Sequence, residues 1–194
     1  MMAYPASPPP ACAATAAIVG WVPIPMAEHY QRPGWFTKNV FNPAVALLSV
    51  LGNTPPPKVV VNEMTTVASV WTHAQFLNGT AIKGHALGLK IAAGNVPNFV
   101  DLQTGGWGAT IQDPLNSGQT PTMANFATLA DLLSGCATRV KADACSKLFA
   151  AAMPPTGVTP TDTLTAAQSI ARYSCTSPSG CLLCSMRSIR SHRS

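Results

Sequence analysis

Apolar residues recur at helical spacing in the stretch VNEMTTVASVWTHAQFL, from Val61 to Leu77. Val67, Val70, Trp71, Ala74 and Leu77 fall on one face, while Thr66, Ser69, Thr72 and Gln75 fall on the other. Asn62 stands before the run as an N-cap, and Glu63 places an acid in the first turn. The pattern predicts a core-facing helix from Asn62 to about Asn78, ended by Asn78-Gly79. It also puts His73 on the polar side, where exposure is expected.

The same periodicity extends the helical reading in both directions. In NPAVALLSVLG, Asn42 reads as N-cap, Pro43 as first helical residue and Gly52 as terminator, with Ala44, Leu47, Leu48 and Leu51 on one face. NTPPPK (53–58) is a stiff linker, and Val59–Val61 offers at most a short strand. Over 84–102 the pattern predicts two helical pieces with a break near Asn95, the second restarting at Pro97 and ended by Gly105-Gly106. Gly84, Gly88 and Gly94 each weaken this region by about 1 kcal/mol relative to Ala. The Gly-, Asn-, Gln- and Pro-rich stretch 104–121 reads as a long surface loop carrying Trp107.

Three further helices follow. Thr122–Ser134 aligns Met123, Phe126, Leu129, Ala130 and Leu133 and ends at Gly135. Residues 142–152 align Cys145, Leu148, Phe149 and Ala152, with Pro154-Pro155 preventing continuation. Asp162 caps the last, which turns Leu164, Ala167 and Ala171 inward. The expected fold class is all-α: a small irregular bundle of about five to six helices over residues 42–173.

The ends differ from this body. Residues 1–41 are punctuated by Pro5, Pro8, Pro9, Pro10, Pro23, Pro25 and Pro33, which predicts an extended or irregular segment. Residues 174–194 are rich in Ser, Cys and Arg and lack any periodicity. A shifted reading frame would produce such a tail; an intact coding frame on re-sequencing would sink that idea.

Composition narrows the class. A hydrophobic content of 47% is enough for a packed core. Charged residues make up only 10%, against roughly 25% in ordinary soluble domains, a bias that leans towards exported proteins. The net charge of +5 does not signal nucleic acid. Arg187, Arg190 and Arg193 supply three of the twelve basic residues, leaving nine basic against seven acidic before them. That body has no clustered basic face for phosphate, so no nucleic-acid partner is expected. No run reaches the roughly 18–20 apolar residues of a membrane span. Ala11–Ala27 comes closest but is broken by Pro23 and Pro25, and no Lys or Arg precedes it, so it makes no clear signal peptide.

Candidate chemistry is sparse. Cys136 and Cys145 flank a turn between two helices, and a disulfide closing it is geometrically reasonable in an oxidising compartment. Two separate buried thiols are the alternative. Cys181-x-x-Cys184, with Cys175 and His192, formally offers four zinc ligands, but no hydrophobic support surrounds them. His29, His73 and His85 sit in no ligand spacing, and neither HExxH nor G-x-S-x-G occurs. Gly105, Gly106 and Gly108 follow no strand and suit a turn better than a phosphate loop. Asn78-Gly79-Thr80 has the form of a glycosylation sequon. No catalytic, cofactor-binding or metal residue is expected, and no cofactor.

The phrases VNEMTTVASVW, GNVPNFVDLQTGG, FATLADLLSGC, ACSKLFAAAMPP and PTDTLTAAQSIAR occur in that order. Together they resemble a helical region of uncharacterised bacterial exported proteins. There the region precedes a β-propeller of the NHL-repeat or streptogramin-lyase-like type. The resemblance covers about residues 42–173. It implies an extracytoplasmic (periplasmic or secreted) setting, a non-catalytic helical module with a propeller as partner, and it strengthens the Cys136–Cys145 bridge. No propeller repeats occur in this chain, so it reads as an isolated or truncated module. Two functions are therefore expected: a structural or interaction module, or a cell-envelope ligand- or glycan-binding module using the 104–121 loop and Trp107. Enzymatic activity would require Asp101, Asp113 and His85 to converge.

Overall fold

Asn62 opens the central element. Its side chain accepts from the Thr65 amide at 2.9 Å while the Thr65 hydroxyl accepts from the Asn62 amide at 2.8 Å, a reciprocal cap that starts α1 (Glu63–His73). In the computed structural model, which describes residues 16–19, 42–139 and 141–173, this helix packs against four other elements. Around it lie α2 (Ala86–Phe99), α5 (Thr122–Ala137), α7 (Thr163–Tyr173) and the strand β2 (Leu47–Val50). Two short helices, α3 (Ala109–Gln112) and α4 (Pro114–Ser117), link α2 to α5, and α6 (Ala144–Ala151) links α5 to α7. Val67, Val70, Leu77, Val96, Phe126, Leu133 and Leu164 form the centre of one buried cluster.

The fold is mostly helical but not all-α, and the clearest departure is at residues 42–52. The expected helix there is a strand: β2 pairs antiparallel with β1 (Ala16–Val19), with Ala17 opposite Ser49 and Val19 opposite Leu47. All four β2 residues are buried, so the apolar run has no solvent face for a helix to present. β2's other edge meets α1 and α7. Leu48 N–H donates to Thr66 Oγ1 at 3.0 Å, Val50 N–H to Ser69 Oγ at 2.9 Å, and Ala46 N–H to Thr163 Oγ1 at 2.9 Å. Helix hydroxyls thus satisfy an edge that a third strand would otherwise pair.

That arrangement corrects the expected polar face of α1. Thr66 and Ser69 are buried because their hydroxyls meet β2, Thr65 is buried where its hydroxyl serves the Asn62 cap, and His73 is buried beside Phe76. Asn78-Gly79 does not end the helix either. α1 closes at His73, and Leu77–Asn78 (β3) pairs with Ala81–Ile82 (β4) in a hairpin whose tip uses Gly79 at φ +58°. Gln168 of α7 holds that tip, accepting from Gly79 N–H at 3.2 Å and donating to its carbonyl at 2.6 Å.

Other boundaries shift for local reasons. The expected break near Asn95 is absent: α2 runs continuously, and Pro97 removes one amide donor only two residues before the helix ends. Gly88 stays in the helix because Phe76 lies over it; a Cβ there would stand 2.8 Å from the ring. The 104–121 stretch is not a plain loop. Asp113 accepts from Leu115 N–H at 2.9 Å and Pro114 follows at the first helical position, which together start α4. Val59–Val61 forms no strand, although Val60 N–H reaches Leu102 O at 2.9 Å. α5 starts at Thr122 as expected but does not stop at Gly135: it runs on to Ala137, where Cys136 is buried and bridged to Cys145. α6 and α7 lie where expected, and Asp162 caps α7 through Thr165 N–H at 2.8 Å.

The irregular tails largely lie outside the described residues, as do Cys175, Cys181, Cys184, His192 and His29. Within 1–41, Ala16–Val19 is the described part, and it is the strand β1.

Candidate functional site

An aromatic cluster centred on Phe126 underlies an open groove between the helices. Phe126 is fully buried on α5; Trp71 of α1 meets it edge-on at 5.6 Å and Phe99 of α2 stacks on it at 5.9 Å. Trp71 and Phe99 are themselves edge-to-face at 6.0 Å. Such packing fixes the indole plane, since ring pairs favour these offset geometries. Trp71 and Phe99 then remain half-buried, and both line an open groove of about 570 Å³. That volume lies within the roughly 300–1,000 Å³ of small-molecule sites.

Six elements line the groove: Trp71 and Thr72 from α1, Asn95, Asn98 and Phe99 from α2, Thr110 and Ile111 from α3, Asn116 from α4, Thr122 and Leu129 from α5, Ile170 and Ala171 from α7. Every polar side chain in this set is an amide, a hydroxyl or the Trp71 indole, and none is ionisable. Most are joined in sequence. Asn98 Nδ2 donates to Asn95 Oδ1 at 3.0 Å, Thr110 Oγ1 to Asn98 Oδ1 at 3.1 Å, and Asn116 Nδ2 to the Thr110 carbonyl at 2.8 Å. Thr120 Oγ1 donates to the Asn116 carbonyl at 2.6 Å and lies 3.1 Å from Thr122 Oγ1. The rim is therefore set by its own hydrogen bonds before anything binds.

Below the rim, Thr72 Oγ1 lies 2.8 Å from His73 Nδ1, and that nitrogen is 3.0 Å from the Ser69 carbonyl. A carbonyl only accepts, so Nδ1 carries the proton and Nε2 is left as a lone pair. Nε2 is buried without a partner among the described residues. Burial pushes the His73 pKa below its ordinary value, and the Ser69 bond opposes this only in part. His73 is thus a neutral core residue.

The residues singled out by sequence fare unequally. Cys136 and Cys145 lie with their sulfurs 2.08 Å apart and Cα atoms 4.5 Å apart, joined as a disulfide between α5 and α6. Trp107 does not line the groove: it is half-buried against Phe126, with centroids 5.6 Å apart. The 104–121 stretch reaches the groove instead through Thr110, Ile111 and Asn116. Asp101, Asp113 and His85 do not converge. Asp101 holds a turn through Gln103 N–H and the Thr104 hydroxyl, bonds that keep its carboxyl below its usual range. Asp113 caps α4, and His85 stands before α2. Among the described residues no three or more His, Cys, Asp or Glu side chains gather where a metal ion could be held.

Sequence reasoning missed Trp71, Asn95 and Asn98 as site residues. Trp71 lies on a core stripe, and Asn95 reads as a helix break. The signal available was the Asn95-x-x-Asn98 spacing, which places two amides on one helical face. Comparisons with protein-family models, curated proteins and solved structures find no match to this chain.

Proposed function

We propose that this chain is a non-catalytic binding module that takes an uncharged ligand of the cell envelope in the groove beside Trp71. The observation that carries this reading is the groove's lining: aromatic faces below, and a pre-ordered rim of amides and hydroxyls above. A charged ligand would lose solvation there without gaining a counter-charge. Low charge content and the Cys136–Cys145 bridge support an extracytoplasmic setting. Fractionation that finds the chain in the cytosol with both thiols free would overturn that setting.

A second reading is an interaction module packed beside a β-propeller. It is favoured by Leu87 and Ile91, which stand 61% and 57% exposed one turn apart on α2. One experiment separates the two. Isotope-labelled protein is titrated with a library of small uncharged fragments and followed by NMR. Shifts concentrated on the Trp71 indole and the Asn95, Asn98 and Asn116 side-chain amides are expected. Shifts concentrated on the Leu87 and Ile91 methyls would favour the second reading, and shifts scattered over the surface would overturn the groove.

A further inference from the structure

The geometry points to a saccharide, a short neutral oligosaccharide segment, as the occupant of this groove; the inference rests on the binding-module reading above. Several polar groups of the lining keep hydrogen-bonding capacity to spare. The Trp71 indole N–H has no acceptor among the described residues, and it is not a buried orphan either. Asn98 Nδ2 uses one of its two protons on Asn95, which leaves the other to donate. Asn116 commits its amide nitrogen to the Thr110 carbonyl, which leaves Oδ1 as an acceptor. Thr122 Oγ1 pairs with Thr120 and keeps a lone pair to accept. Donors and acceptors are therefore both on offer around the groove, and a hydroxyl group, which is both, can serve either kind.

The apolar side favours the same occupant. Sugar rings carry a C–H face flanked by hydroxyl edges, and that face packs on an indole held in a fixed plane. Trp71 is so held, by Phe99 and Phe126 at right angles to it. A wholly apolar ligand, such as a lipid tail, would bury the rim amides without partners, which is costly for each group. A charged glycan would meet no ionisable side chain in the lining. The groove is also open rather than enclosed, so a chain can run through it.

The test uses the full chain and two neutral probes: chitotetraose, and a capped peptide of Ser and Asn residues without charge. Binding is read by calorimetry and by the Trp71 indole signal in NMR. Chitotetraose is expected to bind and to shift that signal. Asn116→Ala and Thr122→Val are each expected to weaken it by about threefold to tenfold. Both sites lie on the half-exposed rim, and unchanged circular dichroism and melting temperature would show that the variants fold. Binding of the peptide at Trp71 with none of chitotetraose would overturn the saccharide assignment and leave the binding-module reading standing. Failure of both probes, together with fragments that avoid the groove, would overturn both. Chitotetraose binding that is indifferent to Asn116→Ala and Thr122→Val would overturn the proposed recognition.

Discussion

At the scale of single residues, the polar groups of α1 matter more than its apolar stripe. Thr66 and Ser69 look like solvent-facing positions in the sequence but serve as acceptors for β2. Periodicity shows which positions are polar; it does not show whether water or a buried strand edge satisfies them. His73 carries the measurable consequence. Its folded pKa lies below the 6.5 of a free imidazole, so below that pH the unfolded chain binds more protons than the folded one. Stability from this group is fully present above about pH 6.5 and falls as the pH drops through the acid range, by at most about 1.4 kcal/mol per pH unit for one proton. His73→Gln keeps a hydrogen-bonding side chain without that titration. Denaturant melts from pH 7 to pH 4 are expected to show the wild type losing more stability than the variant. Parallel curves would mean that His73 is not the linked group.

At the scale of elements, what was legible in the sequence depended on how many kinds of partner a pattern admits. α5 and α7 both form as helices from the starts their patterns give, although α5 passes Gly135 to reach Ala137 and α7 also buries the polar Thr163, Gln168 and Ser169. Residues 44–51 are apolar at every position but Ser49, and such a run suits a buried strand as well as a helix. The groove was half legible. The 104–121 stretch does contribute to it, but its aromatic floor comes from α1, α2 and α5, and Trp71 stands where Trp107 was expected. Gly108 shows how closely α3 must approach α2. A Cβ there would stand 2.6 Å from the Pro97 carbonyl oxygen and 2.8 Å from the Phe99 carbonyl carbon, and backbone cannot yield as a side chain can. Gly108 N–H also donates to Phe99 O at 2.9 Å. Gly108→Ala is therefore expected to cost about 1–3 kcal/mol and to part Thr110 from Asn98. A lowered melting temperature with loss of the paired Asn98 amide signal in NMR would show this. An alanine variant as stable as the wild type would mean that the α2–α3 contact is looser than the structure has it.

At the scale of the whole molecule, the question is what keeps the second half of the chain against the first. α6 packs on α5 and α7 but buries little of its own: Leu148 is its one buried side chain among the described residues. The Cys136–Cys145 bridge ties its first turn to the end of α5. That corner also meets the segment leading into β2, since Asn42 Nδ2 donates to the Cys136 carbonyl at 3.2 Å and lies 3.4 Å from that of Ala137. A bridge across nine positions is worth about 2–3 kcal/mol if it acts by restricting the unfolded chain. Cys136→Ser with Cys145→Ser is expected to lower unfolding free energy by about that amount. Because the groove draws on α1–α5 and α7 but not α6, saccharide affinity at a temperature where the variant stays folded should be unchanged. Hydrogen exchange would locate the effect, with faster exchange in α6 and at the Asn42 corner and little change along α1. Faster exchange throughout α1 and α2 would instead mean that the bridge supports the whole core, and that the groove depends on it.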